Sequence, residues 1–154
     1  MNVLITGSSG FVGSNITRKL EKLDHNIFKA DRDNGIDILK INTLNAFKQV
    51  DVCLHLAAAT FVPESYFKSH KFFSLNVYGL INCLEFCRRN NAKLIFISSY
   101  VYGKPKHLPI DESHRLESTN PYSETKLIGE KICKAYNKYY GLKSIILRPS
   151  NLYG

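Results

Sequence analysis

Five short apolar runs alternate with longer helical patterns along this chain, and that alternation restricts its possible folds more than any other feature. The runs are 2–6 (NVLIT), 26–31 (NIFKAD), 51–57 (DVCLHLA), 93–98 (KLIFIS) and 143–148 (KSIILR). Each is rich in Val, Ile, Leu or Phe, as strands buried on both faces tend to be. Helical patterns lie between them at 12–23, 43–49, 64–90 with an internal break, and 121–140. Strands separated by helices return by right-handed crossovers, so the expected fold is α/β, a three-layer doubly wound parallel sheet. One more strand is expected, third in the sequence and short, and only GIDIL (35–39) is available for it.

With 154 residues the chain fits one domain, 1–154, in which roughly 68–70% of the unfolded surface can be buried. The 44% hydrophobic and 22% charged composition is that of an ordinary globular protein and excludes a disordered chain. No apolar run approaches the ~18 residues of a membrane span, and the N-terminus lacks a basic-then-apolar leader. A cytoplasmic protein without a membrane partner is therefore expected. Cys53, Cys83, Cys87 and Cys133 sit in apolar segments without C-x-x-C spacing, so they are expected as buried thiols, with no metal site. The net charge of +8 is spread along the chain without a basic block. Nucleic acid is not indicated, although a positive field suits a small anionic ligand.

TGSSGFVG (6–13) places Gly7, Gly10 and Gly13 where the first strand turns into the first helix. Small residues there let the backbone approach a pyrophosphate, and a helix N-terminus offers unpaired N–H groups. The spacing is G-x-x-G-x-x-G, not the more familiar G-x-G-x-x-G. Asp31 follows Gly13 by 18 residues, close to the ~20-residue offset of a carboxylate that binds the adenosine ribose. A carboxylate repels a 2′-phosphate and favours NAD over NADP, while the neighbouring Arg32 works in the opposite sense.

Tyr122 and Lys126 stand at i and i+4 on a helix that Asn120 can cap and Pro121 can open. An ammonium beside the phenol is expected to lower the Tyr pKa from ~10 and fit it for acid/base work. Ser98 and Ser99 end the preceding strand, where their hydroxyls can meet a substrate oxygen.

TGSSGFVG, the Asp31 strand end, Asp37-Ile38, HLAAAT (55–60), SLNVYG (74–79), ISSYVYG (97–103), PYSETK (121–126) and LRPSNLYG (147–154) occur together in this order. The set resembles the extended short-chain dehydrogenases, specifically the NAD(P)-dependent sugar-nucleotide epimerase/dehydratase family, over the whole chain. The resemblance implies a Rossmann fold with strand order 3-2-1-4-5-6. It places Gly7, Gly10, Phe11, Val12 and Gly13 at the pyrophosphate, Asp31 and Arg32 at the ribose, and Asp37 and Ile38 at the adenine. Leu56, Ala57, Ala58 and Thr60 would line the cofactor, Pro149 would lie near the nicotinamide, and Asn76 would brace the strands beside it. Ser98, counted five back from Gly103, would be the catalytic hydroxyl, Tyr122 the acid/base, and Lys126 its partner and a ligand of the nicotinamide ribose.

Sugar 4,6-dehydratases of the family follow the Ser/Thr with Asp-Glu, whereas here Ser99 and Tyr100 follow. Dehydration is thereby disfavoured. The resemblance favours a UDP-glucose 4-epimerase-like enzyme on a UDP- or dTDP-linked sugar. A ketoreductase or decarboxylase, or a non-catalytic dinucleotide sensor, remains as the alternative. Family members continue into a C-terminal substrate lobe, so the chain is expected to be the cofactor half only. Helical patterns 64–90 and 121–140 carry apolar positions beyond what covering one sheet face needs, and the resemblance implies that they pair across a homodimer.

Overall fold

The computed structural model describes residues 1–153; Gly154, the last residue of LRPSNLYG, lies outside them. β1 (Asn2–Thr6), β2 (Asn26–Ala30), β3 (Val52–His55), β4 (Lys93–Ile97) and β5 (Ser144–Leu147) form one parallel sheet in the order β2-β1-β3-β4-β5. β1 lies inside the sheet between β2 and β3, with Leu4 registered against Phe28 of β2 and Cys53 of β3.

Successive side chains of a strand point to opposite faces, and both faces of this sheet are covered. Val3, Ile5 and Leu54 pack against Ile16 and Leu20 of α1 (Phe11–Glu21). On the other face, Leu4, Cys53, Leu94 and Phe96 meet α2 (Ile41–Leu44), α5 (Gly79–Asn90) and α6 (Pro121–Tyr140) through Leu44, Leu80, Leu84 and Cys133. All four cysteines are buried and free, as their apolar settings predict. The three-layer doubly wound arrangement is the one expected from the alternation. β5 is a sheet edge, and its Ile145 and Leu147 remain 56% and 47% exposed.

Three elements differ from expectation. GIDIL forms no strand, because its polar groups are drawn into a turn. The Asp37 carboxylate accepts from the Leu39 N–H at 3.0 Å, and the Asp37 carbonyl accepts from the Lys40 N–H at 2.8 Å. The Ile38 carbonyl is taken by Asn82 Nδ2 at 2.8 Å, which pins this turn against α5. The pattern at 43–49 yields only the short α2, four residues long. The 64–90 pattern is broken more heavily than expected, into α3 (Val62–Ser65), α4 (Ser69–Phe73), a π-helical turn (Ser74–Tyr78) and α5.

α6 starts as its sequence predicts. Asn120 Oδ1 accepts from the Ser123 N–H at 2.8 Å, Ser123 Oγ accepts from the Asn120 N–H at 3.1 Å, and Pro121 occupies the first turn. Reciprocal bonds of this kind satisfy donors that a helix start leaves unpaired. The helix ends at Gly141, whose φ of 66° closes the last turn in the left-handed region.

Candidate functional site

A cleft of about 530 Å³ opens at the carboxyl ends of the strands. It lies where the connection from β1 runs to one side of the sheet and that from β3 to the other, the place where doubly wound sheets hold ligands. Every site residue named from the sequence except Asn76 lines it.

One end of the cleft is made of backbone. Gly7 has φ +70°, and a Cβ there would stand 2.8 Å from the Ala57 nitrogen in the strand-end loop opposite. A Cβ on Gly13 would come within 2.1 Å of the Gly7 carbonyl oxygen. Only glycine lets the turn fold this tightly onto α1. Gly10 precedes α1 without a side-chain cap, so the first-turn N–H groups of Phe11, Val12 and Gly13 meet no capping side chain. Their partial positive charge faces the cleft, a setting suited to phosphate.

Asp31 leaves β2 beside this turn and accepts from the Ser9 N–H at 3.2 Å. Burial acts to raise its pKa, but hydrogen bonds from Ser9, Arg32 and Asp33 outweigh it and hold the carboxyl below its ordinary value. Asp31 is therefore a fixed anion at the rim, with Arg32 next to it. Asp37 and Ile38 border the same end from their turn, and Leu56, Ala57, Ala58 and Thr60 form the wall after β3.

The other end is built from buried polar groups. Lys126 Nζ donates to the Ile97 carbonyl at 2.9 Å and lies 5.8 Å from the Tyr122 ring centroid. Burial pushes the Lys126 amine down to about 8. Burial also raises the Tyr122 phenol, and the neighbouring Ser99 hydroxyl works against that rise. The phenol lowered by Lys126 that the sequence suggests is thus not found in the cleft as it stands. Desolvation dominates the phenol, and the amine is turned to a backbone carbonyl.

Ser98 also departs from expectation. Its side chain is buried and donates to Glu130 Oε1 at 2.7 Å, while Glu130 is clamped by Arg148 at 2.8 Å and 2.7 Å through Nε and Nη2. Arg148 also donates to the Tyr102 hydroxyl at 3.2 Å. Of the two strand-end serines, Ser99 is the one beside the Tyr122 phenol. Counting back from Gly103 does not show this difference, because each hydroxyl's direction is set by alternation along β4 and its exit.

Asn76 lies behind the cleft wall, in the π-helical turn. Its amide accepts from the Ala59 N–H at 2.8 Å and donates to the Ala59 carbonyl and Thr125 Oγ1, both at 3.0 Å. It ties the loop after β3 to α6, in keeping with a bracing role. Sequence reasoning did not name Ser9, Leu75 or Ser150–Leu152, which also line the cleft. Each lies within a motif that contains a named residue: TGSSGFVG, SLNVYG or LRPSNLYG. Glu130 and Arg148 were missed as well. Glu130 falls four residues after Lys126 on the same face of α6, a spacing that could have pointed to it.

Residues 3–154 match the model of the NAD dependent epimerase/dehydratase family. The UDP-glucose 4-epimerase of Lactobacillus helveticus is 34% identical over 100% of this chain and 52% of its own length. A UDP-glucose 4-epimerase structure from Thermus thermophilus in complex with NAD superimposes with a TM-score of 0.91 at 30% identity, over 100% of this chain and 56% of that one. A dTDP-glucose 4,6-dehydratase structure from Streptomyces venezuelae superimposes at 0.92 and 27% identity, covering 100% and 57%. The chain spans about half the length of these relatives. With the cleft, its glycine turn and its fold in agreement, the chain belongs to the NAD-dependent epimerase/dehydratase family.

Proposed function

We propose that residues 1–154 are the NAD(H)-binding domain of a nucleotide-sugar epimerase. One observation carries this reading: a single cleft gathers the glycine turn, the Asp31 carboxylate and the Ser99/Tyr122/Lys126 group. The residues fit a dinucleotide. The backbone turn and the start of α1 would hold the pyrophosphate, Asp31 the adenosine ribose, and the turn at Asp37 and Ile38 the adenine. Lys126 would meet the nicotinamide ribose, and Pro149 would lie beside the nicotinamide. When bound, the cofactor supplies a reversible hydride acceptor.

The protein's own part is to move one proton and to hold one oxygen. Tyr122 is the general base toward a sugar hydroxyl and returns the proton in the reverse direction. Ser99 donates to that oxygen, in place of the Ser98 assignment suggested by the motif count. Lys126 is neutralised more easily than a surface lysine and turns from the Ile97 carbonyl toward ligand and phenol. Ser98 acts at one remove, through the buried Glu130–Arg148 pair. Dehydration is not favoured, because Tyr100 and Val101, which follow Ser99, offer neither a carboxylic acid nor a carboxylate.

The substrate is a UDP- or dTDP-linked sugar, the class named for the relatives. The assembly is a homodimer through the exposed aromatic side of α3 to α5, where Phe61, Tyr66 and Phe67 are 67%, 59% and 88% exposed. Among the described residues no helix is long and apolar enough to cross a membrane.

Calorimetry of the folded chain with NADH should give micromolar-range binding and weaker binding of NADPH; no binding of either overturns the reading. Asp31→Ala should narrow the gap between the two cofactors. For the reaction, the full-length protein incubated with UDP-glucose should form UDP-galactose without net NADH. Net NADH release would point to a dehydrogenase instead.

A further inference from the structure

The loop between β4 and α6 gathers three metal-ligating side chains away from the cleft. His107, Asp111 and His114 each present a ligand atom, and these atoms all lie within 4.8 Å of one another. None of the three residues lines the cleft. Their spacing in the chain is H-x-x-x-D-x-x-H.

The pairwise geometry resembles a site waiting to contract. Asp111 Oδ1 is 3.5 Å from His114 Nδ1, and Asp111 Oδ2 is 4.0 Å from His107 Nε2. The two imidazole rings overlap, with centroids 3.9 Å apart. Tetrahedral donors at ~2.0–2.2 Å from Zn²⁺ stand roughly 3.3–3.6 Å from each other, so the group must draw in by about 1 Å. The side chains of His107 and Asp111 are 60% and 54% exposed and free to make that adjustment.

His114 is the buried member and is already oriented. Its Nε2 lies 3.1 Å from the His107 carbonyl, which selects the tautomer with Nε2–H as donor and leaves the Nδ1 lone pair toward Asp111. An imidazole that donates its far N–H to a backbone carbonyl is the usual support of a metal-bound histidine. A long contact of 3.3 Å from the Asp111 N–H is all that Nδ1 accepts at present. On the Asp111 carboxylate, Ser113 donates to Oδ1 from both its N–H and its Oγ, which keeps the group ionised and orients it.

We propose that His107, Asp111 and His114 form a binding site for a divalent transition metal of the Zn²⁺ type, with a water completing four-coordination. Two imidazoles and one carboxylate suit Zn²⁺ and exclude hard cations such as Mg²⁺, which prefer an all-oxygen shell. Bound metal would tie the loop to itself. Through the edge-on contact of His114 with Tyr102, and the bond of Tyr102 to Arg148, it would reach the buried pair beneath Ser98.

Titration of the whole chain with Co²⁺, followed by displacement with Zn²⁺, tests the site independently of any cofactor or activity. The expected result is a visible absorption that saturates at one Co²⁺ per chain, is bleached by Zn²⁺, and is accompanied by a rise in Tm. His107→Ala and Asp111→Asn alter exposed side chains, and each should weaken binding at least about tenfold, since losing even an outer partner costs that much. Binding that never saturates at one equivalent, or that both variants retain, overturns the proposal. A near-ultraviolet thiolate-to-cobalt band would assign the metal to the buried cysteines and overturn it equally.

Discussion

At the glycine-loop end of the cleft, shape comes from backbone pressed against backbone, whereas at the Tyr122 end it comes from polar side chains removed from water. The first end has no room for an added methyl at Gly7 or Gly13. At the second, each charge depends on few partners: Glu130 on Arg148 and Ser98, and Lys126 on the Ile97 carbonyl. The first should therefore fail by steric conflict, with little dependence on pH. The second should fail electrostatically, with a strong one.

Arg148→Ala should break the second end most severely. It leaves Glu130, whose side chain is 1% exposed, as a buried carboxylate without its cation. Breaking such a pair costs about 3–5 kcal/mol, read as a lower urea midpoint, and the loss should shrink at acid pH as Glu130 protonates. An unchanged midpoint would mean that the pair contributes no stability. Gly13→Ala comes next, at about 3 kcal/mol from overpacking against the Gly7 carbonyl, and its loss should be equal at pH 5 and pH 8. A clear pH dependence in this variant would erase the contrast between the two ends.

His55 gives a sharper test between them. It is buried on β3, paired with Thr6 Oγ1 at 2.8 Å, and burial, aided by the Lys126 charge, pushes its pKa down to about 3. Between pH 6.5 and 3 the unfolded chain binds a proton at this residue that the folded chain refuses. Stability should fall as pH falls through that window, by about 1.4 kcal/mol per unit for one proton. His55→Asn should flatten the profile relative to the parent, and parallel profiles would refute the assignment. The smallest effect belongs to Thr17 on α1, whose buried Oγ1 has no hydrogen-bond partner among the described residues. Thr17→Val should leave thermal stability unchanged or raise it by up to about 1 kcal/mol, since an unpaired hydroxyl is exchanged for a methyl. A loss of stability would reveal a hidden partner.

Much of the glycine-loop end was legible in the sequence because its causes are local. A turn that needs small residues, a helix start, and a carboxylate at the end of the next strand all lie within 26 residues, Thr6 to Asp31. The cap of α6 was legible for the same reason. At the other end, local signals misled. The Y-x-x-x-K spacing brought Tyr122 and Lys126 together, yet it did not reveal that burial would raise the phenol and turn the amine to Ile97. GIDIL has the apolar content of a strand, but Asp37 and Asn82 consume its backbone groups.

By itself, then, the sequence determined the strand–helix alternation, the doubly wound class, the phosphate-suited turn and the identity of the groups at the cleft. Those follow from periodicity, turn chemistry and residue type, which act over a few positions. Tertiary structure decided which serine faces the phenol, which charges are paired, and which histidines meet. Ser98 and Glu130 are 32 residues apart and Glu130 and Arg148 are 18, so their pairing depends on how α6 lies across β4 and β5. Such contacts follow from the packing of whole elements, and no short stretch of residues encodes them.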